Sequence, residues 1–119
     1  MVAMDTPLAA RHCVEHRRGT PHLGADAANA LAAQVPAWEM QESQDHPILT
    51  RTFKFKGFMP GVDLVNRIAA IAEAESHHPD LRLGWGYLTV ELWTHTAEGL
   101  TENDFILAAK VDQAESSKS

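Results

Sequence analysis

Apolar positions recur along this chain with two periods, and the places where one gives way to the other mark out its elements. Residues 24–35 (GADAANALAAQV) are alanine-rich, with Ala27, Leu31 and Val35 at helical spacing. Pro36 stops that pattern, which predicts a first helix. Residues 38–42 (WEMQE) alternate apolar and polar, and residues 49–56 (LTRTFKFK) alternate again, with Leu49, Phe53 and Phe55 on one face. The intervening SQDHP (43–47) has turn composition, so the two segments predict a hairpin. KGFMPG (56–61) breaks the period. Val62, Leu64, Val65, Ile68, Ile71 and Ala72 then recur at three- and four-residue steps, predicting an amphipathic helix over 62–76 that His77 and His78 close just before Pro79. DLRLG (80–84) reads as a short strand, residues 84–86 (GWG) as a reversal, and 88–95 (LTVELWTH) as the clearest strand. Its alternation separates Leu88, Val90 and Leu92 from Thr89, Glu91, Trp93 and His95. Residues 101–104 (TEND) have the form of a capping box ahead of the apolar run FILAAKV (105–111), which predicts the last helix.

The order αββαββα implies an α+β fold, a four-stranded antiparallel sheet with helices packed on one face. One domain is expected over 23–113. Residues 1–22, with Pro7, Gly19, Pro21 and no apolar period, read as an irregular or mobile segment, and 114–119 as a polar tail that frays.

Composition narrows the function classes. The 119 residues suit a single domain, and 45% hydrophobic with 22% charged residues suits a globular one. Ten Lys and Arg against sixteen Asp and Glu give a net charge of −6, the wrong sign for tracking nucleic acid or an anionic membrane. The longest apolar run, residues 68–72, is far short of the ~20 residues of a membrane-spanning helix. The N-terminus lacks a secretory pattern, and the one cysteine, Cys13, can form neither an internal disulfide nor a thiolate cluster, so a cytoplasmic protein is expected.

The seven histidines are the unusual count. His12, His16 and His22 fall in the irregular segment and His46 in the predicted turn, and these four read as solvated surface imidazoles. His77, His78 and His95 fall at boundaries between regular elements, where side chains can converge on a cleft. Structural roles compete for each. A last-turn histidine is favoured by the helix dipole, His95 could be an exposed strand end, and Asp104 could be simply a capping acid. Taken together they allow two chemistries, a metal held by imidazoles and a carboxylate, or general acid–base catalysis on a polar heterocycle. Adjacent side chains diverge by about 100° on a helix and about 180° on a strand. Helical ligand spacing of three or four residues is also absent, so metal-free acid–base chemistry is favoured.

Glu73-x-x-x-His77-His78-Pro79, followed by Trp85, His95 and Asp104 with five, nine and eight residues between them, resembles the signature of pterin-4a-carbinolamine dehydratases. Trp38, the strand TFKFK (52–56), Thr94-His95 and GLTEND (99–104) extend the similarity over about residues 23–113. The resemblance implies the αββαββα fold, catalysis with neither metal nor organic cofactor, and a homodimer or homotetramer. It also implies an activity, that of a 4a-hydroxytetrahydrobiopterin dehydratase (a carbon–oxygen lyase). Such an enzyme takes water from a 4a-hydroxytetrahydropterin to give quinonoid dihydropterin, recycling tetrahydropterin for an aromatic amino acid hydroxylase. Carried over by motif, His77 and His95 would be the acid–base pair and His78 would hold the pterin. Asp104 and Glu73 would support the imidazoles, and Pro79, Trp85, Thr94, Thr96 and Ala97 would line the substrate pocket. Ser76 and Asn103 depart from vertebrate-type members, which carry an acid and an arginine there, and the N-terminal segment looks like the extension of bacterial members. The same scaffold also serves as a transcription-factor dimerisation partner or a carboxysomal Rubisco assembly factor, a binding role that has no need of His77, His78, His95 and Asp104 together.

Overall fold

The computed structural model describes residues 6–43 and 46–116. Residues 1–5, 44–45 and 117–119, parts of the expected irregular segment, turn and tail, lie outside the described residues. The elements are α1 (Ala25–Ala32), β1 (Glu39–Ser43), β2 (His46–Lys54), α2 (Met59–Glu75), β3 (Asp80–Gly84), β4 (Tyr87–Leu92) and α3 (Glu102–Ser116), with 3-10 turns at Leu8–Ala10 and His95–Ala97. The strands form one antiparallel sheet in the order β1-β2-β4-β3. Two hairpins therefore meet along β2 and β4, and α2 crosses between β2 and β3, which run parallel with β4 between them. This is the α+β architecture that the alternating periods predict.

Helices cover one face of the sheet. Leu49 and Phe53 of β2 and Leu88, Val90 and Leu92 of β4 point into the core, where they meet Leu64 and Ile68 of α2 and Phe105, Leu107 and Val111 of α3. Side chains of this kind each contribute about 1.5–3 kcal/mol when fully buried. At the edge of that layer, Asp112 of α3 accepts hydrogen bonds from the Trp38 indole at 2.8 Å and from Arg51, whose guanidinium also lies over the Phe53 ring. The opposite face is polar, with Thr52 bonded to Thr89 and Arg82 paired with Glu91.

Five element ends differ from the sequence pattern, each for a local reason. α1 stops at Ala32 because Gln34 and Val35 turn to three-residue hydrogen bonds, onto Leu31 and Ala32, ahead of Pro36. α2 starts at Met59 because Pro60 falls in the first turn, where its missing N–H removes no hydrogen bond. α2 ends at Glu75, since Ser76 adopts a left-handed conformation (φ 55°) and His77 N–H bonds back to the Ala72 carbonyl. His77 and His78 therefore lie beyond the helix rather than closing it, and they are not last-turn partners of its dipole. β4 ends at Leu92, so His95 opens a 3-10 turn instead of closing the strand. α3 continues to Ser116, whose hydroxyl bonds to the Asp112 carbonyl, so polar residues 113–116 are helical where fraying was expected.

The N-terminal segment is irregular but docked. Leu8 is buried against α3, Lys110 donates to the Ala9 carbonyl, and Arg11 pairs with Glu102. Asn103 grips the Val14 backbone on both sides, accepting from its N–H at 3.0 Å and donating to its carbonyl at 2.7 Å.

Candidate active site

The antiparallel pairing of β3 with β4 sets Asp80 opposite Glu91, so the chain entering β3 and the chain leaving β4 emerge at the same end of the sheet. The first carries His77, His78 and Pro79; the second carries Trp93, Thr94 and His95. Pairing of Leu49 with Leu92 brings His46, the first residue of β2, to that end as well. An isolated bridge between Thr94 and Gly99 then returns the chain to α3, whose first turn supplies Asp104. Together these segments, with Val14, His16 and Asn103, line a cleft of about 360 Å³ that contains His77, His78, Pro79, Thr94, His95 and Thr96.

Asp104 lies buried behind the cleft wall, bonded to two of its lining residues, His77 and Thr94. Its side chain is 0% exposed, and its carboxylate accepts three hydrogen bonds: from His77 Nε2 at 2.7 Å on one oxygen, and from the Thr94 hydroxyl and Thr101 N–H, both at 2.9 Å, on the other. Thr94 spends its single proton on Asp104, so the 2.8 Å contact between the two threonine hydroxyls is donated by Thr101. Because a carboxylate only accepts, the proton on His77 is held at Nε2 and Nδ1 keeps its lone pair. The bond to Thr101 N–H, three residues earlier, is the capping interaction that the TEND pattern predicts, so Asp104 both caps α3 and holds His77.

The other imidazoles are held differently. His78 Nε2 lies 2.7 Å from Glu73, in an exposed pair. The two neighbouring histidines thus diverge, one inward and one outward. His95 is stacked on the Trp93 indole at 3.8 Å, and His46 is stacked on Trp93 at 3.6 Å with a 16° interplanar angle. Aromatic contacts, rather than a carboxylate, fix the plane of His95.

The carried-over pocket residues divide. Pro79, Thr94 and Thr96 line the cleft, Glu73 reaches it only through His78, and Ala97 lies in the wall of an adjoining cavity. Trp85 is elsewhere: it is 74% exposed in the β3–β4 turn, the full length of that hairpin from the histidines. Two of the four histidines read as surface residues belong near the site. His16 lines the cleft, with its Nε2 buried and without a hydrogen-bond partner among the described residues, and His46 is half-buried against Trp93. The spacing Trp93-Thr-His95 was a usable signal for the stack, since alternate residues of an extended chain share a face. Nothing local to residues 12–16 signals their approach to a site some 60 to 90 positions further along the chain.

Residues 21–114 match the family described as pterin 4 alpha carbinolamine dehydratase. A relative from Methylococcus capsulatus, provisionally named a pterin-4-alpha-carbinolamine dehydratase, is 45% identical over 89% of this chain and 91% of its own. One from Rubrobacter xylanophilus, with the same provisional name, is 42% identical over 89% and 96%. Among solved structures, the transcriptional coactivator/pterin dehydratase of Brucella melitensis superposes with a TM-score of 0.72 at 28% identity, covering 79% of this chain and 98% of that one. A pterin dehydratase-like protein identified as a RuBisCO assembly factor in the alpha-carboxysome superposes with a TM-score of 0.57 at 25% identity, over 69% and 93%. The chain, with its histidines gathered at one end of the sheet around a buried aspartate, belongs to the pterin 4 alpha carbinolamine dehydratase family.

Proposed function

We propose that this protein is a 4a-hydroxytetrahydropterin dehydratase working by histidine acid–base catalysis. The observation that carries this reading is that His77, oriented by Asp104, and His95, oriented by Trp93, border one cleft. Dehydration of a carbinolamine needs two proton transfers. His95 protonates the 4a-hydroxyl, the C4a–O bond breaks, and water leaves. His77 Nδ1 takes the proton from the adjacent ring nitrogen, whose electron pair closes the new C=N bond to give quinonoid dihydropterin. Asp104 does not touch the substrate; it keeps His77 in the receptive tautomer and stabilises the imidazolium formed when the proton arrives. His78, turned outward, and the Thr94–Thr96 wall hold the heterocycle. We further take the protein to act in the cytoplasm as a homodimer or homotetramer.

A binding role of the kind named for the carboxysomal relative is the competing reading. A buried carboxylate that, besides capping α3, aims an imidazole at an open cleft favours catalysis, because a scaffold has no use for the second role. Stopped-flow dehydration of a 4a-hydroxytetrahydropterin decides between them. Wild-type protein is expected to accelerate the reaction over buffer, and His77→Ala or His95→Ala to slow it about 100-fold or more with the fold intact by circular dichroism. No acceleration by the wild type ends the enzymatic reading.

A further inference from the structure

His46 sits at the histidine end of the sheet, yet the proposed chemistry gives it no task. It opens β2 and is half-buried, and its ring lies on the Trp93 indole at 3.6 Å with the planes 16° apart. The same indole carries His95, at 3.8 Å and 31°. Two imidazoles centred that close to one indole would overlap if they shared a face, so they occupy opposite faces. Trp93 is therefore the middle of a three-ring stack, and only its edge is left for the cleft that it lines. The two outer rings are fixed unequally. His46 belongs to a nine-residue strand paired with β1 on one side and β4 on the other. Its Nδ1 also meets the Pro47 carbonyl at 3.1 Å, and because a carbonyl only accepts, the ring proton sits there. His95 has no such tie. It is exposed and opens the 3-10 turn beyond β4, and among the described residues neither its ring nor the Trp93 indole N–H has a hydrogen-bond partner.

Position is passed along the stack from its anchored end. With no hydrogen bond to hold it, the indole is stopped from turning toward β2 by the face of His46, and His95 is stopped by the face of Trp93. Removing the His46 ring opens one face of a half-buried indole, which can then rotate into the space, and His95 follows it. Proton transfer is sensitive to such drift, because the imidazole nitrogen has to come within hydrogen-bond reach of the departing oxygen. His46 does not line the cleft, so it reaches the reaction only through the two rings in front of it.

We propose that His46 is a positioning residue for the acid His95, acting through the Trp93 indole and never touching the substrate. The proposal rests on the dehydratase reading for its reaction, and its test separates the two. His46→Ala removes the outer ring of the stack, whereas His46→Phe keeps a ring and removes both nitrogens. In stopped-flow dehydration of a 4a-hydroxytetrahydropterin, His46→Ala should lower kcat about fivefold to tenfold with KM unchanged, the loss of one aromatic contact. His46→Phe should return kcat to within about twofold of wild type, since the contact rather than the imidazole is what counts. Proton NMR of the His95 ring follows the stack without turnover. Its signals, shifted upfield by the indole face, should move back in His46→Ala and stay in place in His46→Phe. A merely structural role would lower the melting temperature and leave kcat and the His95 signals alone. Wild-type kcat in His46→Ala, a loss carried by KM, or unmoved His95 signals overturns the positioning role and leaves the dehydratase reading standing. Equal losses in His46→Ala and His46→Phe overturn it as well, because they put the effect in the ring nitrogens. A wild-type protein without turnover removes the dehydratase reading and the positioning role with it.

Discussion

Asp104 shows how one buried side chain can serve fold and chemistry together. Three donors converge on it, the His77 imidazole, the Thr94 hydroxyl and the Thr101 amide, in a place with no access to water. Asp104→Asn keeps the volume and can still accept from Thr94 and Thr101 through its carbonyl oxygen. It turns an amide N–H₂ toward His77, however, which drives the imidazole proton to Nδ1 and removes the base. The expected result is a loss in kcat of about 100-fold or more, with KM little changed and the melting temperature nearly kept. Asp104→Ala instead leaves three buried donors unpaired, at about 1–3 kcal/mol each, and should lower the stability heavily as well. If Asp104→Asn matches the wild type in kcat, the tautomer assignment is wrong. The spacing of His77, His95 and Asp104 made these residues visible in the sequence. The stack of His46 on Trp93 was not, because it depends on the pairing of β2 with β4, and residues in a predicted turn give no sign of which strand end they will face.

The elements divide in the same way. α2 was legible because its core contacts, Leu64, Ile68 and Ala72, recur at helical spacing, and β4 because Leu88, Val90 and Leu92 alternate. The N-terminal segment carries no period, because side chains bonded to backbone hold it in place across 62 to 90 positions of sequence. Glu75, at the end of α2, is its central anchor, accepting from the Cys13 N–H at 2.7 Å and pairing with His12 and Lys110. Burial alone would raise the Glu75 carboxyl, but the Cys13 N–H, His12 and Lys110 outweigh it and hold it below the ordinary glutamate value. A lowered native value means that the ionised anchor stabilises the fold above the unfolded glutamate pKa of about 4.3, and that this stabilisation fades as the pH falls through the native value. Glu75→Gln should therefore cost about 1 kcal/mol at pH 7, the difference between a charged and a neutral acceptor, and progressively less under acid conditions. Urea denaturation of both proteins at pH 7 and pH 3.5 measures that gap; a gap that is constant with pH rules out Glu75 as an ionised anchor. Release of the segment has its own reporter in Cys13, whose thiol is pushed up to about 12, chiefly by burial and then by Glu75 and Asp104. Alkylation at pH 8 should be slow in the native protein and faster in Glu75→Gln.

For the molecule as a whole, the decisive element is α3, which lies at the centre of the helical layer. Phe105, Leu107, Ala108 and Val111 are fully buried, and α3 contacts α1, α2 and the Leu8–Ala10 turn as well as carrying Asp104 and Asn103 into the site. Its apolar run has no single exposed stripe, so the sequence announced a buried helix but not what it would touch. The polar residues after it gave no hint that the helix continues to Ser116, since those turns are held by propagation from a packed start rather than by burial of their own. If α3 ties the sheet, the other helices and the docked segment into one cooperative unit, a cavity at its centre should weaken all of them together. Leu107→Ala removes a side chain with 0% exposure and should cost about 2–5 kcal/mol. Unfolding should then be followed by three probes: far-ultraviolet circular dichroism for the helices, fluorescence of the buried Trp38 for the core, and Cys13 alkylation for the N-terminal segment. The three midpoints should move by the same amount, as in an all-or-none transition. A Cys13 midpoint left behind while the other two shift would show that the segment docks independently, and that the wall it gives to the histidine cleft can open while the catalytic histidines stay in place.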